Sequence, residues 1–365
     1  FFMISTTIFP GRYVQGYEAT KRLGKEAARF GKTAFIIADP FAYEKLLPRF
    51  QADVEQEVAI TVEPFHGECA DEEVERLSVL VQEAAAKVIV GIGGGKALDT
   101  AKATAHALGL PVIIVPTIAS TDAPTSALSV IYTPEGVFKR YLVLPQNPNV
   151  VLVDTRIIAE APVRFLVAGI GDALSTWFEA DACERSYAGN MTGDVGSMTA
   201  RKLAAFCYET ILEYGVVAKA SCEAKVVTPA LERVIEANTL LSGLGFESGG
   251  LASCHAIHNG LTALDETHHY WHGEKVAIGV LASLFLTDKP AGLIDEVFTF
   301  CEDVGLPTTL AEIGLEKVTD EQLMIVAERA CATGETIYHE PIPVTPQMVF
   351  AALKAADAEG RRRQA

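Results

Sequence analysis

Along roughly the first 155 residues the chain repeats one pattern, a short β-branched apolar run followed by a helical stretch. The runs are "TAFIIAD" (33–39), "AITVEPF" (59–65), "KVIVGIGGG" (87–95), "PVIIVPT" (111–117) and "VVLVDT" (150–155). Nearly continuous apolar strands that alternate with helices require a sheet covered on both faces, so the pattern predicts a parallel α/β layer. One antiparallel feature is expected: "SALSVIYT" and "FKRYLVLP" flank Pro134-Glu135-Gly136 and read as a β-hairpin. From Pro162 onward the strand signal stops. Stretches such as "DALSTWFEADACE", "MTARKLAAFCYETILEYG" and "ALERVIEANTLLSGLG" carry apolar residues at helical spacing instead. The pattern thus predicts an α/β domain over 1–160 and an all-α domain over 161–365, with a ligand cleft between them.

Composition narrows the possibilities. A chain of 365 residues with 49% apolar content can bury a large core and has the length of two domains. Its formal charge of −17 argues against a nucleic-acid partner, which would demand clustered Lys and Arg. The one dense basic run, "GRRRQA" at the end, is expected to be a frayed, solvated tail. The apolar run "VAIGVLASLFL" (276–286) is too short to cross a bilayer, so no membrane span is expected. The start, "FFMISTTIFPG", lacks the basic and apolar regions of a secretory signal; Phe1 and Phe2 ahead of Met3 read as additions, and a cytoplasmic location is expected. Seven widely spaced cysteines without a CxxC pair indicate buried reduced thiols rather than disulfides or a thiolate metal knuckle.

"KVIVGIGGGKALDTAKATAHAL" is a strand, a glycine turn and a helix, the arrangement in which backbone N–H groups and a helix N-terminus can hold a phosphate. Neither standard fingerprint is met. A GxGxxG starting at Gly91 meets Lys96 where the third glycine belongs, and a Walker A loop would need glycine at Val90 and Ser or Thr at Ala97. What remains is Gly93-Gly94-Gly95, which lets the backbone approach a pyrophosphate, with Lys96 beside it. Asp39, closing the first apolar strand, can accept from a ribose 2′-OH and repel a 2′-phosphate, or can serve as an ordinary turn or capping aspartate.

Five of the eight histidines fall in "CHAIHNGLTALDETHHYWHGEK", residues 254–275. His255 and His258, three apart on an expected helix "LASCHAIHNGLTAL", share a face, and either or both could ligate a metal. His268 and His269 sit in a polar stretch that reads as an exposed loop. His272 stands just before Gly273 and the helix "EKVAIGVLASLFL", where a helix start can aim its side chain. A carboxylate partner is on offer in "AGIGDALSTWFEA", although by position Asp172 reads first as a helix N-cap.

Taken together, "GIGGGKALDTAKA", "VPTIASTDAPTSALSVIY", "GIGDALSTWFEA", "CHAIHNGLTAL" and "HGEKVAIG" resemble the glycerol dehydrogenases. These form a branch of the iron-containing alcohol dehydrogenase and dehydroquinate synthase-like superfamily, and the resemblance runs along essentially the whole chain. It implies a Rossmann-like α/β domain followed by an all-α domain, and NAD-dependent oxidation of glycerol at one zinc ion per subunit. By position it implies Asp172, His255 and His272 as the zinc ligands, with both histidines and Asp122 beside the bound polyol. NAD would lie along Asp39, Gly94, Gly95 and Lys96, with Thr117, Ser120, Ser126, Leu128 and Tyr132 on the nicotinamide side; His258 would lie near the site but outside the metal shell. A homo-oligomer, an octamer by the same resemblance, is implied as well.

One departure bears on the metal. The superfamily's iron enzymes commonly place a third histidine one helical turn after the aspartate, where this chain has Thr176. The remaining Asp/His/His set suits zinc and a chelating diol. A sugar-phosphate enzyme of the same superfamily, such as a glycerol-1-phosphate dehydrogenase or a dehydroquinate synthase-like lyase, would need cations for the phosphate, and residues 240–275 offer only Lys275. A metal- and nucleotide-binding protein without turnover is disfavoured, because the glycine turn and all three ligand positions are intact.

Overall fold

The computed structural model describes residues 3–365; Phe1 and Phe2, read above as additions, lie outside the described residues. Eight strands occur among them: β1 (Tyr13–Gly16), β2 (Thr33–Ala38), β3 (Ala59–Pro64), β4 (Val88–Gly93), β5 (Val112–Pro116), β6 (Leu128–Tyr132), β7 (Phe138–Val143) and β8 (Val150–Asp154). Six form one parallel sheet in the order β1-β8-β5-β4-β2-β3, while β6 and β7 pair antiparallel as the expected hairpin. The five apolar runs are all strands of that sheet. The sixth strand, β1, carries only the half-buried "YVQG" and gives no apolar run to read.

Both faces of the sheet are covered, as the near-continuous apolar strands require. Phe35, Ile37, Ile89, Ile114 and Val151 point into one cluster that continues through Ile170, Leu231 and Val280 of the helical half. Their alternating neighbours Ile36, Val90, Ile113 and Leu152 fill a second cluster on the other face. From Thr155 onward the regular structure is helical, apart from isolated bridges at Gly189 and Val195. All seven cysteines are free and buried, and no helix among the described residues is long and apolar enough to cross a membrane.

The structure departs from the sequence pattern at four points. Asp172 is not an N-cap, because its helix starts at Val163 and runs to Ser186. Gly169 and Gly171, which precede Asp172, also lie inside that helix. The terminal "GRRRQA" is not frayed: the last helix continues to Gln364, and Arg363 pairs with Asp295 at 2.6 Å and Glu302 at 2.8 Å. The first histidine helix is shorter than expected, Ser253–Leu261. The second starts at His272 itself, behind Trp271 as N-cap, whose backbone N–H donates to Glu274 Oε2 at 2.8 Å.

Candidate active site

The glycines around Asp172 are points of close approach. A Cβ on Gly169 would lie 1.9 Å from the Ala119 carbonyl oxygen, one on Gly171 2.4 Å from that of Gly273, and one on Gly273 1.7 Å from that of Ala168. Their bare backbones let the Val163–Ser186 helix, the loop after β5 and the start of the His272–Leu286 helix close on one another. Asp172, only 1% exposed, is thereby brought against His272.

The Asp172 carboxylate, His255 and His272 offer atoms that all lie within 4.8 Å of one another, the one such group among the described residues able to hold a metal ion. Nε2 of His272 and Nε2 of His255 stand 3.2 and 3.5 Å from Asp172 Oδ1. In both rings the other nitrogen is engaged. Nδ1 of His255 donates to Glu179 Oε2 at 2.6 Å, and Nδ1 of His272 lies 3.0 Å from Nε2 of His258. His258 is the acceptor there, because burial and the neighbouring His272 and Lys275 push its pKa well below the usual histidine value and keep it neutral. Its own Nδ1 donates to Asn259 Oδ1 at 3.1 Å. With both Nδ1 hydrogens committed outward, the two Nε2 atoms turn toward one point.

At that point Asp172 Oδ1 is buried without a hydrogen-bond partner. A buried, unpaired carboxylate oxygen is costly unless a positive group joins it. Burial opposes ionisation of Asp172, but His272 and His255 outweigh it and hold the carboxyl below its usual range. Burial likewise opposes charge on His255, yet Glu179 and Asp172 raise its pKa well above the usual value. A cation centred among the three would take the place of that proton, so one nitrogen-nitrogen-oxygen set with open positions fits a divalent metal.

Glu179 was not singled out from the sequence. It lies seven residues after Asp172 on the same helix, hence on the same face, and is fully buried. Its Oε1 accepts from the backbone N–H of Ala252 at 2.8 Å and of His255 at 2.9 Å. Ala252 has no capping side chain of its own, so one carboxylate both caps the Ser253–Leu261 helix and orients the His255 ring.

Asp122 stands next to this set: its backbone N–H donates to Asp172 Oδ2 at 3.3 Å and its own Oδ2 accepts from Ser242 Oγ at 2.7 Å. Burial and the Asp172 charge push the Asp122 pKa well above the usual carboxylate value. Thr176 lies 2.9 Å from Ser242 Oγ, so a threonine hydroxyl, a serine hydroxyl and the Asp122 carboxylate form one chain. His268 and His269 are exposed and take no part in the set; Nε2 of His268 donates to the Thr262 carbonyl at 3.0 Å.

On the sheet side, Gly93 ends β4 with φ +153 and its place for a Cβ is 2.5 Å from Asp39 Oδ2. Asp39 does cap locally, accepting from Ala42 N–H at 2.7 Å, while its second oxygen accepts from Gly94 N–H at 3.2 Å. Around Gly95 a Cβ would meet nothing within 4 Å, which leaves the turn open to a ligand. Lys96 is ion-paired with Glu68 at 2.6 Å and lies over the Tyr132 ring, 5.0 Å from its centroid. Thr117 donates its N–H to Gly93 O at 3.0 Å, and Ser120 follows it in the loop that leads to Asp122. Ser126 and Leu128 lie on the segment between Asp122 and Tyr132.

The description "iron-containing alcohol dehydrogenase" is that of the family model matching residues 10–155. A glycerol dehydrogenase of Thermotoga maritima is 67% identical over 99% of this chain and 99% of its own length. The chain belongs to the iron-containing alcohol dehydrogenase family. A glycerol dehydrogenase of Escherichia coli is 52% identical, covering 97% of this chain and 96% of its own. Among solved structures, the glycerol dehydrogenase of Schizosaccharomyces pombe superposes with a TM-score of 0.94 at 40% identity, over 100% of this chain and 93% of that one. As an iron-containing alcohol dehydrogenase by family, the protein is an alcohol oxidoreductase, and its donor set carries one carboxylate and two imidazoles.

Proposed function

We propose that this protein oxidises glycerol to dihydroxyacetone with NAD as acceptor and one zinc ion per chain. The observation that carries the reading is the Asp172, His255 and His272 set, whose Nδ1 hydrogens are committed outward so that two lone pairs meet an unpartnered carboxylate oxygen. Relatives of this chain that carry the name glycerol dehydrogenase support the substrate. Residues 1–160 would form the NAD domain and 161–365 the metal domain.

Bound zinc supplies Lewis acidity that lowers the pKa of a substrate hydroxyl, and bound NAD⁺ supplies the hydride acceptor. The protein does the rest. Asp172, His255 and His272 would hold the metal, leaving one side of the set for the substrate. Asp122, fixed by Ser242, faces the substrate and takes a hydroxyl hydrogen bond or its proton. Gly94 and Gly95 hold the pyrophosphate, with Lys96 exchanging Glu68 for a phosphate oxygen. Asp39 accepts from the adenosine ribose, and Thr117, Ser120, Ser126, Leu128 and Tyr132 line the nicotinamide side.

The test is a panel on the purified zinc-loaded protein: glycerol, 1,2-propanediol and glycerol phosphate, each with NAD⁺ and NADP⁺. The reading predicts NADH from glycerol and little turnover with NADP⁺ or the phosphorylated substrate. Preferential use of glycerol phosphate would overturn the substrate, and equal use of NADP⁺ would overturn the role of Asp39.

A further inference from the structure

The segment from Asp122 to Val130 contains one short turn, Ala123–Thr125, before β6 begins. Its backbone is caught by buried side chains from both halves of the molecule. Lys102 Nζ donates to the carbonyl oxygens of Ala123 at 3.0 Å and Ser126 at 3.4 Å, and to that of Leu128. Asn147 donates to the Thr125 carbonyl at 2.9 Å, and Glu247 accepts from the Ala127 N–H at 2.6 Å. Asp99 Oδ2 accepts from Val130 N–H at 2.9 Å.

The Lys102 side chain has no exposed surface, and its ammonium is 2.9 Å from Asp99 one turn earlier on the Gly95–Leu108 helix. A charge so buried is costly, and an apolar side chain of similar volume would stabilise a core at least as well. What an apolar side chain lacks is a group with three protons for three carbonyls converging from a segment that makes few ladder bonds of its own. The same helix opens at the glycine turn. Lys102 follows Gly95 by seven residues, so about 10 Å of rigid helix separates the turn from the carbonyls that Lys102 holds.

We infer that Lys102 is a positioning residue: it ties the Asp122–Leu128 segment to the helix of the glycine turn and so sets the nicotinamide and Asp122 in register with the pyrophosphate. This rests on the nucleotide placement proposed above. Lys102 acts through the segment it holds.

The experiment compares the zinc-loaded wild type with Lys102→Met and Lys102→Arg. Three quantities are read: NADH affinity by fluorescence, kcat for glycerol, and the primary isotope effect with glycerol deuterated at its secondary carbon. A displaced hydride donor or acceptor is expected to lower kcat by roughly 10- to 100-fold. NADH affinity should stay within about threefold, and the isotope effect should rise as hydride transfer becomes rate-limiting. Lys102→Arg, which keeps the charge and the donors in another geometry, should fold and show the same signature in weaker form. The inference is overturned if folded Lys102→Met keeps the wild-type kcat and isotope effect, or if NADH affinity falls in step with kcat. Should Lys102→Met fail to fold, a wild-type isotope effect and kcat in Lys102→Arg overturn it equally. A wild type that binds no NADH would instead sink the nucleotide placement itself.

Discussion

Glu179→Gln is the sharpest perturbation of the metal set, because it changes one atom type and almost no volume. In the wild type one carboxylate oxygen holds two backbone amides and the other receives the His255 Nδ1 hydrogen. A glutamine can keep its carbonyl on the backbone pair, but its NH₂ then faces Nδ1. His255 must accept there, moving its hydrogen to Nε2 and pointing it at the metal position. Flipped, the amide keeps the ring tautomer and leaves two N–H groups of a buried helix start facing its own N–H donors. Either way a hydrogen bond to a charged group, about 1.5–3 kcal/mol, is lost at a fully buried site. Loss of such a carboxylate behind a histidine ligand lowers metal affinity by roughly 10- to 100-fold. The assay is competition for zinc against a chromophoric chelator, with circular dichroism to confirm the fold. A folded Glu179→Gln protein whose zinc affinity stays within about twofold of wild type would refute the orienting role.

Further outcomes follow from packing and charge. Gly273→Ala places a Cβ 1.7 Å from the Ala168 carbonyl oxygen, where only backbone movement can relieve it; a melting temperature equal to wild type would contradict the close approach, and a loss of roughly 1–3 kcal/mol is expected. Burial pushes the Glu247 carboxyl up to about 7 from an ordinary 4.5. Between those values the unfolded chain has released a proton that the fold retains, so stability falls as pH rises through that window, by up to about 3 kcal/mol. Melts of wild type and Glu247→Gln at pH 5 and pH 8 should therefore show the wild type losing ground to the variant at the higher pH, and a constant gap would contradict the shift.

The inner strands β2, β4, β5 and β8 were legible because both their faces are buried, which writes a nearly unbroken apolar run into each, while the partly exposed edge strand β3 was legible from the β-branched residues of "AITVEP". β1 was not, since a half-buried edge strand needs no such run and "YVQG" offers none. Asp172 was legible as a candidate and misread as a cap. The two glycines just before it resemble loop punctuation in one dimension, whereas in three they are the places where Ala119 and Gly273 carbonyls press against a helix. His268 and His269 could be set aside from their polar surroundings alone. Glu179 was missed although its spacing from Asp172 is that of one helix face, because an acidic residue in "WFEADACE" reads as an exposed position until its partners are known. Arg363 was misread for the same reason: a basic tail reads as solvated until Asp295 and Glu302 appear beside it. Lys102 left no signal of its own, since its partners are backbone carbonyls whose direction no residue pattern records.

In the function proposed above, alcohol oxidation depends on a metal held by Asp172, His255 and His272. The most direct measurement is NADH formation from glycerol before chelation, after removal of the metal, and after readdition of zinc. Turnover is expected in the first state, loss in the second and recovery in the third, with metal content falling and returning in step. Full-rate turnover by protein shown to be free of metal would contradict it.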